Sequence, residues 1–252
     1  MSEIGGILTR GNGTTIAYRQ SAGKNPGVLF VHGLRSDMNG SKALALEAHC
    51  RAGGRAFLRF DLSGHGASSG DFADGTIGAW TADLLEVLDL LTLGPQILVG
   101  SSLGGWLMLR AALARPGRIA ALLGLAAAPD FTENLLWPGL SPDQRRTLEE
   151  TGQVLIDDCY GAAPYPITRR LIEEGRQHLV LTGPIEIDCR VTLIQGQADP
   201  DVPWQTALRL AERLQSNQVQ IHLLKSAGHR LNEPDSLRSI LGSLDALVDR
   251  QP

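Results

Sequence analysis

Gln96-Ile97-Leu98-Val99-Gly100-Ser101-Ser102-Leu103-Gly104-Gly105-Trp106-Leu107-Met108-Leu109 decides how this chain is read. A short apolar run meets a Gly-x-Ser-x-Gly pattern and passes straight into a longer apolar segment, so a strand is expected to turn sharply into a helix at Ser102. Gly100 and Gly104 suit that turn because a Cβ at either position would collide with the neighbouring strand or helix. A serine there is held in a strained backbone conformation with its hydroxyl projecting into a cleft, which is the requirement for a nucleophile. Taken alone, the pattern is equally well a Gly/Ser-rich connection. Its weight depends on the loops elsewhere in the chain.

Outward from this block, short apolar runs alternate with helical patterns. Ile4 to Arg10 and Thr15 to Arg19 flank the turn residues Gly11-Asn12-Gly13 and read as a hairpin. Strands are expected at Val28–Val31, Ala56–Phe60, Ile97–Val99, Ala120–Leu125, Val191–Ile194 and Val219–Leu224, with helices at Ala43–His49 and Ile77–Leu91. Near-continuous apolar strands separated by helices predict a mostly parallel central sheet covered on both faces, an α/β architecture. Right-handed crossovers then bring the loops that follow the strands to one edge. Residues 131–184 break the alternation and read as a small helical cap inserted into a single domain spanning 1–252. In that insertion Ser141 is expected as an N-cap with Pro142 in the first turn, and Ile167 to His178 as a second helix.

Three further loops carry chemistry. His32-Gly33-Leu34-Arg35 follows one strand, and there the backbone N–H of Leu34 is expected to converge with that of Leu103 on a negative oxygen, forming an oxyanion hole. His32 reads as a brace for that loop. Gly196-Gln197-Ala198-Asp199-Pro200-Asp201 follows another strand and supplies an acid. Asp199 is favoured over Asp130, which follows an earlier strand, and over Asp201, which suits capping of a helix starting near Pro203. Ala227-Gly228-His229 follows the last strand, and the order Ser102, Asp199, His229 is that of an α/β-hydrolase triad. His65, between two glycines, reads as scaffold.

Composition narrows the field. The chain has 252 residues, 43% hydrophobic and 20% charged, with a net charge of −4 and no basic run, so a nucleic-acid partner is not expected. No apolar stretch is long enough to span a membrane, and the start lacks a signal-like n-region, so a cytoplasmic location is expected. Cys50, Cys159 and Cys189 lack metal-ligand spacing and read as reduced, packed thiols; neither metal nor cofactor is expected.

These motifs resemble the α/β-hydrolase superfamily along nearly the whole chain. Met38 to Ala45, Arg59-Phe60-Asp61, the block from Gly94 to Leu109, and Val202-Pro203-Trp204 are similar to the abhydrolase-domain-10 group of palmitoyl-protein thioesterases and acyl-glucuronide esterases. By that similarity Ser102, Asp199 and His229 match the group's nucleophile, acid and base, and the chain looks like a bacterial relative. The resemblance is weakest through residues 131–184, where acyl selection is expected to reside. A serine hydrolase is thus expected, cleaving esters or thioesters of a small molecule or an S-acylated protein through an acyl-enzyme. Arg35, Trp106, Met108, Trp137 and Trp204 are candidate substrate contacts, Arg35 toward an anion. C–C bond hydrolysis or perhydrolysis uses the same triad. A slow-turnover ligand receptor is the alternative from outside enzymology. Epoxide and haloalkane hydrolysis need an aspartate where Ser102 stands.

Overall fold

A computed structural model describes residues 3–157 and 163–249. The apolar runs build strands β1 (Glu3–Thr9), β2 (Thr15–Ser21), β3 (Lys24–Val31), β4 (Arg55–Phe60), β5 (Gln96–Ser101) and β6 (Ile119–Leu125). A two-stranded ribbon of β7 (Gln153–Ile156) and β8 (Tyr165–Thr168) follows, and then β9 (Arg190–Gly196) and β10 (Val219–Leu224). The eight strands outside the ribbon form one sheet in the order β1-β2-β4-β3-β5-β6-β9-β10. β2 pairs antiparallel with β1 and β4, and the remaining pairs are parallel, as the alternation predicts.

Register sorts the core into two layers. Leu29 lies opposite Leu98, and Leu98 opposite Leu122, and all three point into one cluster. Val28, Ile97 and Ala121 share the next register positions and point into the other, because side chains alternate along a strand. The first cluster is closed by α2 (Ile77–Leu91) and α3 (Leu103–Ala114), the second by α1 (Ser41–Ala52) and α8 (Pro234–Asp249). Burying each of these leucines stabilises the fold by about 1.5–3 kcal/mol. No helix among the described residues is long and apolar enough to cross a membrane.

Between β6 and β9 the chain leaves the sheet. A π-helical turn at Thr132–Leu136 leads into α4 (Trp137–Gly139), α5 (Pro142–Thr151), the ribbon, and α6 (Arg169–Gly175). α5 begins as expected: Ser141 Oγ accepts from the Gln144 N–H at 3.1 Å, the Gln144 side chain accepts from the Ser141 N–H at 2.8 Å, and Pro142 opens the helix. The expected helix from Ile167 to His178 is shorter. Ile167 and Thr168 instead pair with Val154 and Gln153, and Thr168 caps α6 through the Leu171 N–H. A β-branched isoleucine fits a paired strand, and a threonine hydroxyl fits an N-cap better than a helix interior. The insertion is therefore part ribbon rather than wholly helical.

Cys50 is buried and Cys189 half-buried, both as free thiols. Burial pushes them up to about 12 and about 11 respectively, as packed thiols require. Cys159 lies outside the described residues.

Candidate active site

Ser102 sits where β5 ends and α3 begins, with φ 53° and ψ −116°. Three backbone bonds clamp this unusual conformation: its N–H donates to Leu125 O at 2.9 Å, and its carbonyl accepts from Gly105 at 2.8 Å and Ala128 at 3.1 Å. A Cβ on Gly100 would stand 2.3 Å from Gly104 O, and one on Gly104 would stand 2.2 Å from Val31 O. The turn can pack between its neighbours only with glycine at both positions.

His229, in the loop after β10, places Nε2 3.0 Å from Ser102 Oγ and Nδ1 2.8 Å from Asp199 Oδ2. The Asp199 side chain is wholly buried, and its carboxylate receives four N–H donors. Oδ1 accepts from Asp201 and Val202, each at 2.9 Å, and Oδ2 accepts from His229 and from Gln195 Nε2 at 2.8 Å. Burial works to raise the Asp199 carboxyl, but the hydrogen bond and charge of His229, with the two backbone donors, outweigh it and hold it below its ordinary value. An ionised Asp199 keeps the proton on Nδ1, which leaves Nε2 free to accept the Ser102 hydroxyl proton.

The other acids do different work. Asp130 is buried with φ 58°, and its two oxygens accept from Val180 and Leu181, each at 2.8 Å, so it fastens the end of the insertion to β6. Asp201 lines the cavity, while α7 (Gln205–Arg213) has Trp204 at its N-cap and no side-chain cap, contrary to the expected role of Asp201. Turn-making and histidine-holding both belong to Asp199, one on each oxygen. Asp199, Asp201 and His229 also bring one ligand atom each within 4.8 Å of one another, the one such group among the described residues. With all four donors engaged, Asp199 is arranged to hold an imidazole.

The loop after β3 runs against the serine: a Cβ on Gly33 would lie 3.2 Å from Ser102 Cβ. Leu34 and Leu103 line the same cavity as Ser102 and His229. His32 braces the loop as expected. Its Nδ1 donates to Gly33 O at 2.8 Å and its Nε2 accepts the Leu62 N–H at 3.0 Å; burial, with His65 nearby, lowers it to about 3. His65 is scaffold too, bonding Ser63 O at 3.1 Å and accepting the Arg35 N–H at 3.3 Å. Lys42, which the sequence reading passed over, lines the cavity and donates to the carbonyl of Arg230, tying α1 to the histidine loop.

The cavity holds about 650 Å³ and is walled on its apolar side by Leu34, Phe131, Leu135, Leu136, Ile156 and Tyr165. None of the expected tryptophans lines it. Trp106 is fully buried and donates to His178 O at 3.1 Å, Met108 is core, Trp137 has the guanidinium groups of Arg145 and Arg176 each 5.2 Å from its ring centroid, and Trp204 starts α7. Trp106 meets Phe131 of the insertion edge to face, with 5.8 Å between ring centroids, and Met108 lies beside Gly124 of β6, so both side chains pack α3 against its neighbours. Arg35 does line the cavity, but its guanidinium bonds Ala163 O at 3.0 Å and stacks on Tyr165. Gln195 was also missed; a glutamine inside an apolar strand is the signal that marks it.

Residues 28–238 match the profile described as the alpha/beta hydrolase family. The chain belongs to that family. It is 41% identical over 245 residues to the mitochondrial palmitoyl-protein thioesterase ABHD10 of Mus musculus, covering 97% of this chain and 82% of the relative. The human counterpart is 39% identical, with 97% and 80% covered. Among solved structures, mouse alpha/beta hydrolase domain-containing protein 10 superposes with a TM-score of 0.91 at 39% identity, covering 98% of this chain and 99% of that one. An Agrobacterium vitis S4 protein described as a hydrolase gives 0.94 at 36% identity, covering 98% and 100%.

Proposed function

We propose that the protein hydrolyses esters or thioesters of acylated substrates through an acyl-enzyme on Ser102, with S-palmitoylated protein, the substrate class in its relatives' names, as the leading candidate. The observation that carries this is the chain of contacts from Ser102 Oγ through His229 to Asp199, at 3.0 and 2.8 Å. His229 Nε2 takes the hydroxyl proton as Oγ attacks the acyl carbon, and the developing oxyanion is held by the N–H groups of Leu34 and Leu103, worth about 3 kcal/mol for each donor. The protonated imidazole then gives its proton to the departing thiolate or alkoxide. Water, activated by the same nitrogen, releases the acid.

The apolar wall formed by Leu135, Leu136 and Ile156 suits an acyl chain, and residues 131–184 serve as a cap over a hydrolase domain spanning the chain. The test is labelling by a fluorophosphonate probe in wild type and Ser102→Ala, with hydrolysis of short- and long-acyl p-nitrophenyl esters and an S-palmitoyl peptide. Labelling and turnover that both vanish in Ser102→Ala are expected. Turnover that survives in that variant overturns the proposal.

A further inference from the structure

Gln195 stands on β9, four residues before Asp199, among the buried apolar residues Val191, Leu193 and Ile194. A buried amide is costly unless its bonding groups are used. Its Nε2 donates to Asp199 Oδ2 at 2.8 Å and to Val202 O at 3.1 Å, whereas its Oε1 is buried with no partner among the described residues. The orientation cannot be reversed, because turning the amide over would aim Oε1 at a carboxylate oxygen and a carbonyl oxygen with no proton between them. One acceptor is left unpaired so that a donor faces the acid. The oxygen it reaches is Oδ2, the one that receives the His229 Nδ1 proton; the backbone already holds Oδ1.

Resting on the triad reading above, we infer that Gln195 is a positioning residue for the hydrolytic reaction. It fixes the rotation of the Asp199 carboxylate and fills the second lone pair of Oδ2. Through that atom it sets how tightly the imidazole of His229 is held. The other charged groups that line the cavity with His229 are Asp201, Lys42 and Arg230, and of these Asp201 shares the Asp199 loop and donates its backbone N–H to Oδ1.

Gln195→Met keeps the length of the side chain and removes the donor. The expected result is a kcat lower by about tenfold with KM unchanged. The acid limb of kcat/KM moves to higher pH, since a carboxylate with one donor fewer holds the imidazolium proton more tightly. The proton resonance of His229 Nδ1–H shifts as well. A variant that melts earlier but keeps the wild-type kcat, acid limb and resonance overturns the inference and leaves Gln195 a packing residue. If the Met variant does not fold, Gln195→Glu serves: its protonated carboxyl donates to Oδ2 and its ionised form repels it, so a new alkaline loss of turnover is expected, and an unchanged alkaline limb overturns the inference. Ser102→Ala and Asp199→Asn are measured alongside. Turnover surviving in those two means that the triad reading itself has failed, a result distinct from failure at Gln195 alone.

Discussion

The guanidinium of Arg35 lies 4.3 Å above the ring of Tyr165, so the loop that carries Leu34 is fastened to the ribbon strand β8 of the insertion. The same side chain bonds the carbonyl of Ala163 at 3.0 Å. A double-mutant cycle on Arg35→Ala and Tyr165→Leu, read by urea denaturation, is expected to give a coupling energy of about 0.5–1 kcal/mol. Additive single effects would show that the stack couples nothing.

Gly104 is the position at which the nucleophile turn tolerates least. Gly104→Ala is expected to destabilise the protein by about 3 kcal/mol or more and to reduce turnover, because its Cβ meets Val31 O at 2.2 Å. Gly117→Ala meets nothing within 4 Å and is expected to stay within about 0.5 kcal/mol of wild type. Melting curves of the two variants, with specific activity, make the comparison.

Two buried aspartates separate catalysis from stability. Asp199→Asn is expected to lower kcat by about 10⁴-fold, since an amide no longer enforces the Nδ1-protonated imidazole. Asp130→Asn replaces an acceptor facing Val180 with an amide donor and is expected to cost about 1–3 kcal/mol of stability, with activity of the folded enzyme kept within a few-fold. Comparable kinetic losses in both would contradict the assignment of the acid.

His32 makes stability depend on pH. Buried and lowered to about 3, it stays neutral in the folded protein, while in the unfolded chain it takes a proton near pH 6.5. Between those values the unfolded state binds more protons, so stability rises with pH and is lost as pH falls from about 6.5 toward 3, by up to about 1.4 kcal/mol per pH unit. Denaturation at several pH values should show His32→Asn with a shallower slope than wild type; equal slopes would refute this.

Chain-length preference tests the cavity wall. Leu136→Trp is expected to favour short over long acyl esters by at least tenfold, because a larger ring fills the apolar side of the cavity. Trp106→Ala is expected to cost about 3–5 kcal/mol of stability with the preference unchanged, since that ring lies in the core.

Gly-Ser-Ser-Leu-Gly between an apolar run and a helix, four loops each following its own strand, and the order Ser102, Asp199, His229 were enough to name the sheet, the fold and a candidate triad. These are short-range signals: strand alternation, glycine at close approaches, and caps such as Ser141 act within a few residues of where they are written. The side-chain assignments were decided elsewhere. Ser102 and His229 are 127 residues apart, and of Asp199, Asp130 and Asp201 it is Asp199 whose carboxylate oxygen lies against His229 Nδ1. The same holds for the cavity wall. Trp106 and Trp137 match the expected composition of a pocket, but packing between α3 and the insertion made one core and left the other half-buried against it, while Leu136, Ile156 and Tyr165 line the cavity with the serine. Local sequence specifies backbone geometry through sterics and short hydrogen bonds, whereas which side chains meet depends on how distant elements pack.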